Sequence, residues 1–126
     1  MIQEQTILKV SDNSGAKTAK CIKVLGGFQK KYAKLGDTII VSIQKLRNKL
    51  KKTSKVKKKE IYKALIIKTK TSYTNKNGFS LILNENSVAL INKQGNPVGT
   101  RIIGPLPKKL KRKKNQKFIN ISNGVI

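Results

Sequence analysis

The chain has 126 residues, of which 29 are Lys or Arg and five are Asp or Glu, giving a formal net charge of +24. That length fits one domain, and 37% hydrophobic residues, with three Phe, three Tyr and no Trp, supply only a small core. With no His and a single Cys, Cys21, the composition excludes a disulfide framework, a Cys/His zinc site and any mechanism that needs a histidine base.

Residues 6–10 read as a short strand. It runs into Asp12-Asn13-Ser14-Gly15, a dense turn signal, because Asp and Asn bond their own backbone and Gly supplies positive φ. Residues 19–25 partly alternate polar and apolar, as a half-buried strand does, with Cys21 among the core positions as a small hydrophobe. Gly26-Gly27 closes that strand. After the Gly36-Asp37 turn, residues 38–43 are rich in β-branched side chains and read as a buried strand. Residues 45–59 are the most basic window: nine of the fifteen are Lys or Arg and none is acidic. So few apolar groups predict a solvated loop or ribbon rather than core. Residues 61–69 predict another strand, centred on Ala64-Leu65-Ile66-Ile67. Lys76-Asn77-Gly78-Phe79 predicts a type I′ hairpin turn, followed by strands at 79–83 and 87–91. Short strands separated by frequent turns predict a small barrel or sandwich. From Asn96 the chain becomes irregular, with Pro97, Gly99, Gly104, Pro105 and Pro107. Residues 108–114 form a second basic run, able to start a short helix after Pro107. Residues 118–121 predict a short helix or strand packed back on the barrel. The expected layout is one domain over 1–126, with the barrel over about 1–95 and a basic C-terminal segment over about 96–126.

Of the 29 cations, 26 are Lys and three are Arg (Arg47, Arg101, Arg112). Lys meets phosphate as a point charge, whereas Arg gives planar, bidentate recognition. The balance therefore suits backbone neutralisation better than base reading. Solubility asks for a net charge of only about 2–8 in a small domain, so the surplus points to a polyanionic partner. Phe28, Tyr32 and Tyr73 lie near cations and are placed either to stack on bases or to fill the core. The five acids, Glu4, Asp12, Asp37, Glu60 and Glu85, sit in turns or at strand ends, where capping is the ordinary role. Neither glycine cluster has the spacing of a nucleotide-phosphate loop. No apolar run approaches the ~18 residues of a membrane span, and residues 1–6 have neither secretory nor presequence character. Lys, Ile and Asn are all in excess, which indicates A/T-rich coding. On residues alone two other functions stay open. One is a free single-stranded nucleic-acid binder on an OB-like barrel, against which 5% aromatics weighs. The other is a nuclease or other hydrolase, against which the lack of His and of clustered carboxylates weighs.

Four segments carry a resemblance that runs in order along the whole chain: Met1-Ile2-Gln3-Glu4-Gln5-Thr6, Asp12-Asn13-Ser14-Gly15-Ala16, Cys21-Ile22-Lys23-Val24-Leu25-Gly26-Gly27 and Gly99-Thr100-Arg101-Ile102-Ile103-Gly104-Pro105. In these the chain resembles the universal large-subunit ribosomal proteins of the L-fourteen family. The resemblance implies a mainly β fold: a five-stranded β-barrel with a projecting basic β-ribbon and short C-terminal helices. It implies a non-catalytic structural protein without a cofactor or metal, bound to large-subunit rRNA. It also implies contact with small-subunit rRNA in an intersubunit bridge, and neighbours from the L-nineteen and L-three families.

Position by position, the resemblance places Asn13, Ser14 and Lys17 in a turn that approaches rRNA backbone, and Lys30, Lys31 and Tyr32 in a basic loop. Arg47, Lys49, Lys51, Lys52, Lys55, Lys57, Lys58 and Lys59 fall in the ribbon, followed by Lys70. Arg101 falls in the Gly-Thr-Arg motif, and Lys108, Lys109, Lys111, Arg112, Lys113 and Lys114 begin the C-terminal segment. The chain departs from the family pattern at Lys52-Thr53-Ser54, Lys59-Glu60, Thr74-Asn75-Lys76-Asn77-Gly78, Ile82-Leu83-Asn84 and the final Asn123-Gly124-Val125-Ile126. Where Arg is lost, bidentate contacts are lost with it. This divergence, with A/T-rich coding and no presequence, leads to the expectation of a mitochondrial ribosome, with a plastid or the bacterial cytoplasm as alternatives.

Overall fold

The computed structural model describes residues 1–48 and 52–126. Five strands close into a barrel: β1 (Ile7–Val10), β2 (Ala16–Val24), β3 (Thr38–Leu46), β4 (Ile61–Lys68) and β7 (Ser87–Ile91). Neighbouring strands run antiparallel except at the seam, where β1 lies parallel to β7 with Lys9 opposite Ser87 and Val10 opposite Val88. Closure leaves no free edge in the barrel.

β3 shows why these residues make strands. Ile39, Val41 and Ile43 point into the barrel and are buried, while Ile40, Ser42 and Gln44 alternate outward. β2 alternates only in part because its pairing with β3 slips between Ala16 and Ala19 and again between Cys21 and Lys23. Each bulge adds a residue and reverses which face follows. Buried positions therefore fall at Ala16, Ala19, Cys21 and Val24. β4 and β7 are buried on both sides, which accounts for their unbroken apolar runs. Ala64, Ile66, Val88 and Leu90 face the barrel core. Leu65, Ile67 and Ala89 face outward under Ile102, Leu106, Leu110 and Phe118 of the C-terminal segment.

That segment holds two short 3-10 turns, Lys108–Leu110 and Lys113–Asn115, and one helical turn, α1 (Gln116–Asn120). It is sewn to itself and to the barrel by backbone bonds. Ile102 N donates to Ile121 O (3.0 Å), Leu106 N to Gly124 O (2.9 Å) and Ile103 N to Ser11 O (2.8 Å). Phe118 is the buried residue of α1, as expected of a segment packed back on the barrel.

Two expectations are relocated. In the basic window Lys45 and Leu46 end β3, and 52–60 make turns with no paired strand, the solvated loop that the composition allowed rather than the ribbon that the resemblance implied. With only Val56 buried there, that stretch has no alternating apolar face to hold a strand. The two-stranded ribbon lies instead at β5 (Tyr73–Thr74) and β6 (Ser80–Leu81). Its turn is not type I′ either. Gly78 alone takes positive φ (+84°), Gly78 N donates to Asn75 O (3.0 Å) and Asn75 N to Phe79 O (2.7 Å). This is a three-residue connection ending in a left-handed glycine.

Candidate nucleic-acid interface

The turn between β1 and β2 organises the first cationic group. Asp12 is buried, and its carboxylate accepts from Ser14 N (3.1 Å), from the Ser14 hydroxyl and from Leu90 N (3.0 Å). Three donors thus satisfy a buried carboxylate and pin the turn to β7. Asn13 Oδ1 accepts from Thr100 N (2.8 Å) and Arg101 N (3.3 Å), and its Nδ2 donates to Thr100 Oγ1 (2.7 Å). The 99–101 loop is drawn so close that a Cβ on Gly99 would lie 2.8 Å from Asn13 Oδ1 and 2.9 Å from Asp12 Cβ.

The basic segment is tied to the same turn. Arg47 N donates to Gly15 O (2.9 Å), Lys55 N to Ser14 O (2.9 Å) and the Arg47 guanidinium to Val10 O (3.1 Å), while Val56 is buried in the barrel core. Lys17, Arg47, Lys55 and Arg101 are therefore gathered around one rigid turn. Asn13 and Ser14 belong to its scaffold: Ser14 is fully buried and the Asn13 amide is occupied internally.

Beside this turn lies an open cleft of about 440 Å³ lined by Lys9, Lys17, Arg47 and Lys68. Its single acid, Glu85, is paired to Lys9 at 2.8 Å. The hydrogen bond from Lys9 holds the Glu85 carboxyl below the usual carboxylate range. Lys9 and Lys68 were not among the residues the sequence singled out. Neither sits in a basic run; only their places opposite Ser87, on the two strands that flank β7, bring them together.

A second group forms where the loop after β2 meets the C-terminal segment. Lys30 Nζ pairs with Asp37 Oδ2 (2.8 Å), which also accepts from Lys34 N (2.8 Å). Burial pushes the Asp37 carboxyl up, but the Lys30 and Lys34 hydrogen bonds, with the charges of Lys30 and Lys114, outweigh it and hold it below its ordinary value. Lys30 is thus committed to an acid, while Lys31 and Tyr32 are exposed. Gly36 faces Leu110 (Cδ2 at 3.4 Å from where its Cβ would stand) and Asn115. The exposed Lys108, Lys109, Lys111, Arg112, Lys113 and Lys114 are thereby carried close to this loop.

Among the described residues of the basic segment, Lys52, Lys57, Lys58 and Lys59 are exposed; Lys49 and Lys51 lie outside the described residues. Glu60 closes the segment, accepting from Lys57 N (2.9 Å) and Tyr62 OH (2.7 Å). These donors keep its carboxyl low, while burial and the bond to Glu60 push the Tyr62 phenol up to about 12. Lys70 is exposed, its N–H bound to Asn86 Oδ1 (2.9 Å). Of the three aromatics near cations, Tyr73 is the least available, its hydroxyl buried and its ring 5.8 Å from Lys109 Nζ.

Among the described residues only Lys9 and Lys30 are in ion pairs. No group of three or more His, Cys, Asp or Glu converges there, and no described helix is long and apolar enough to cross a membrane. What the fold builds is a rigid barrel studded with uncompensated cations. A protein-family model described as Ribosomal protein L14p/L23e matches residues 1–126. The chain belongs to that family. An L14p/L23e protein is a structural component of the large ribosomal subunit rather than a catalyst.

Proposed function

We propose that this chain binds large-subunit rRNA, with the barrel holding Lys and Arg at fixed separations where RNA segments converge. The observation that carries this reading is the gathering of Lys17, Arg47, Lys55 and Arg101 around a turn whose own polar groups are already satisfied. Arg47 and Lys55, whose side chains are tied to Val10 O and Val98 O, lose little side-chain entropy on meeting phosphate, so their charge goes into affinity. The exposed cations of residues 52–59 and 108–114 extend the contact on either side of the barrel core. Following the family, the reading includes contact with small-subunit rRNA in an intersubunit bridge and neighbours from the L-nineteen and L-three families. The A/T-rich composition favours a mitochondrial ribosome over a plastid or bacterial one.

The test is sedimentation of tagged full-length chain from its native source at cellular ionic strength. Comigration with large subunits, and with the large-subunit rRNA after other proteins are stripped by salt, is the expected result. A chain found only at the top of the gradient sinks the proposal. Fractionation of organelles before lysis decides the compartment.

A further inference from the structure

We propose that Phe28 is a stacking platform for an unpaired base of the large-subunit rRNA. This rests on the rRNA-binding reading above and adds a specific contact to it.

Phe28 is 94% exposed, the most exposed large apolar side chain among the described residues. Its loop does not hang loose. Gly26 (φ +109°) allows Lys30 Nζ to come within 3.2 Å of where a Cβ would stand, and that ammonium pairs with Asp37 at 2.8 Å. On the far side, Ala33 is clamped to Ile2 by Ile2 N to Ala33 O (3.0 Å) and Ala33 N to Ile2 O (2.7 Å). Gly27 (φ +147°) and Gln29 (φ +55°) flank Phe28 with positive φ. An aromatic ring is thus held in water by a braced loop, where no neighbour repays the exposure.

The surroundings say which partner fits. The same loop walls an open depression of about 580 Å³ through Gln29, Lys30, Lys31 and Tyr32, with Gln3 and Glu4 opposite, and the phenyl stands outside that wall. An apolar peptide side chain would find polar walls there. A nucleobase finds a π-face on Phe28 and, three residues along the same loop, the exposed Lys31 ammonium for its phosphate. Stacking tolerates any base, since every base has a π-face.

The protein has no Trp, so Phe28→Trp in the full-length chain gives a single reporter. On titration with an in vitro transcript of the cognate large-subunit rRNA, its emission is expected to be quenched and shielded from iodide. Phe28→Ala is expected to weaken binding about tenfold or more, as loss of a base–aromatic stack does, with Phe28→Tyr close to wild type. Unchanged melting of Phe28→Ala confirms that the fold is intact. If the Trp variant binds the transcript while its indole stays bright and open to iodide, the stacking inference fails and rRNA binding stands. If the indole is shielded only in whole particles, and not by RNA alone, a protein partner covers it and the inference likewise fails. If wild-type chain does not bind the transcript, both readings fall.

Discussion

Gly99 is the clearest case of one residue setting the geometry of the site. Its φ is not what demands glycine; the demand comes from close approach, since the positions a Cβ needs are taken by Asn13 Oδ1 and Asp12 Cβ. Asp12 cannot retreat, because its carboxylate is the sole acceptor sewing Ser14 and Leu90 into the turn. Gly99→Ala is expected to cost about 1–3 kcal/mol, the usual range for forced overpacking. It should also loosen the hold of Asn13 on Thr100 and Arg101, so rRNA affinity falls with stability. Thermal melting and rRNA titration of the same variant check both halves; a melt within 1 °C of wild type, on the order of experimental error, would show that the loop relaxes freely.

Asp37 acts at the same scale with a pH signature. Its carboxyl is held below its ordinary value of 3.8 in the folded chain. A depressed acid stabilises the fold at any pH above its unfolded value and loses that contribution as pH falls through the folded one. Asp37→Asn should therefore lower the melting temperature by about 3–5 °C at pH 7, corresponding to ~1 kcal/mol for a charge-assisted hydrogen bond in a domain of this size. The gap to wild type should narrow as pH falls below 3.8 and through the lowered folded value, where the wild-type carboxyl becomes neutral too. A gap that stays constant down to pH 2, on the order of two units below the ordinary carboxylate value, would mean that the carboxylate's charge plays no part.

At the scale of elements, the basic segment carries its charge on turns pinned at three points: Arg47, Lys55 with Val56, and Lys59 N bonding Ile43 O (2.8 Å). Lys52, Lys57 and Lys58 are left exposed between the pins. Replacing these three with Gln should weaken rRNA binding and lower the slope of log K against log salt by about 2–3, since each phosphate contact releases most of one counterion. An unchanged slope would place the segment away from phosphate. This element also shows where the sequence runs out. The barrel strands were legible because burial on one face imposes alternation, as in β3, and burial on both faces gives continuous apolar runs, as in β4. The β2 bulges were visible only as imperfect alternation. The Lys-rich window has no such code: its path is decided by single tertiary ties, to Gly15 and Ser14, that no periodicity announces. The Lys9–Lys68 part of the cleft was hidden for the same reason, as it depends on two strands, far apart in sequence, that flank β7. Phe28 was legible as an aromatic beside cations, with stacking and core packing both open, and its exposure on the braced loop decides against the core.

At the scale of the whole molecule, +24 on 126 residues opposes the compact state, because like charges crowd as the chain folds. Salt and rRNA relieve that repulsion by different routes, and the two can be separated. In the free protein, added salt screens the cations as the Debye length drops from ~10 Å at 0.1 M to ~3 Å at 1 M. The melting temperature should therefore rise over that range. In the complex, RNA phosphates already supply the countercharge, and salt instead weakens binding steeply. The extra stability that rRNA confers follows ligand concentration over Kd, so it should shrink as salt rises until the two melting curves meet. Melts of the free chain and of the rRNA complex across 0.05–1 M KCl, on the order of the span over which screening acts, trace both lines. A free protein indifferent to salt would show that the surplus cations do not strain the fold, and would remove the reason for the barrel to need RNA at all.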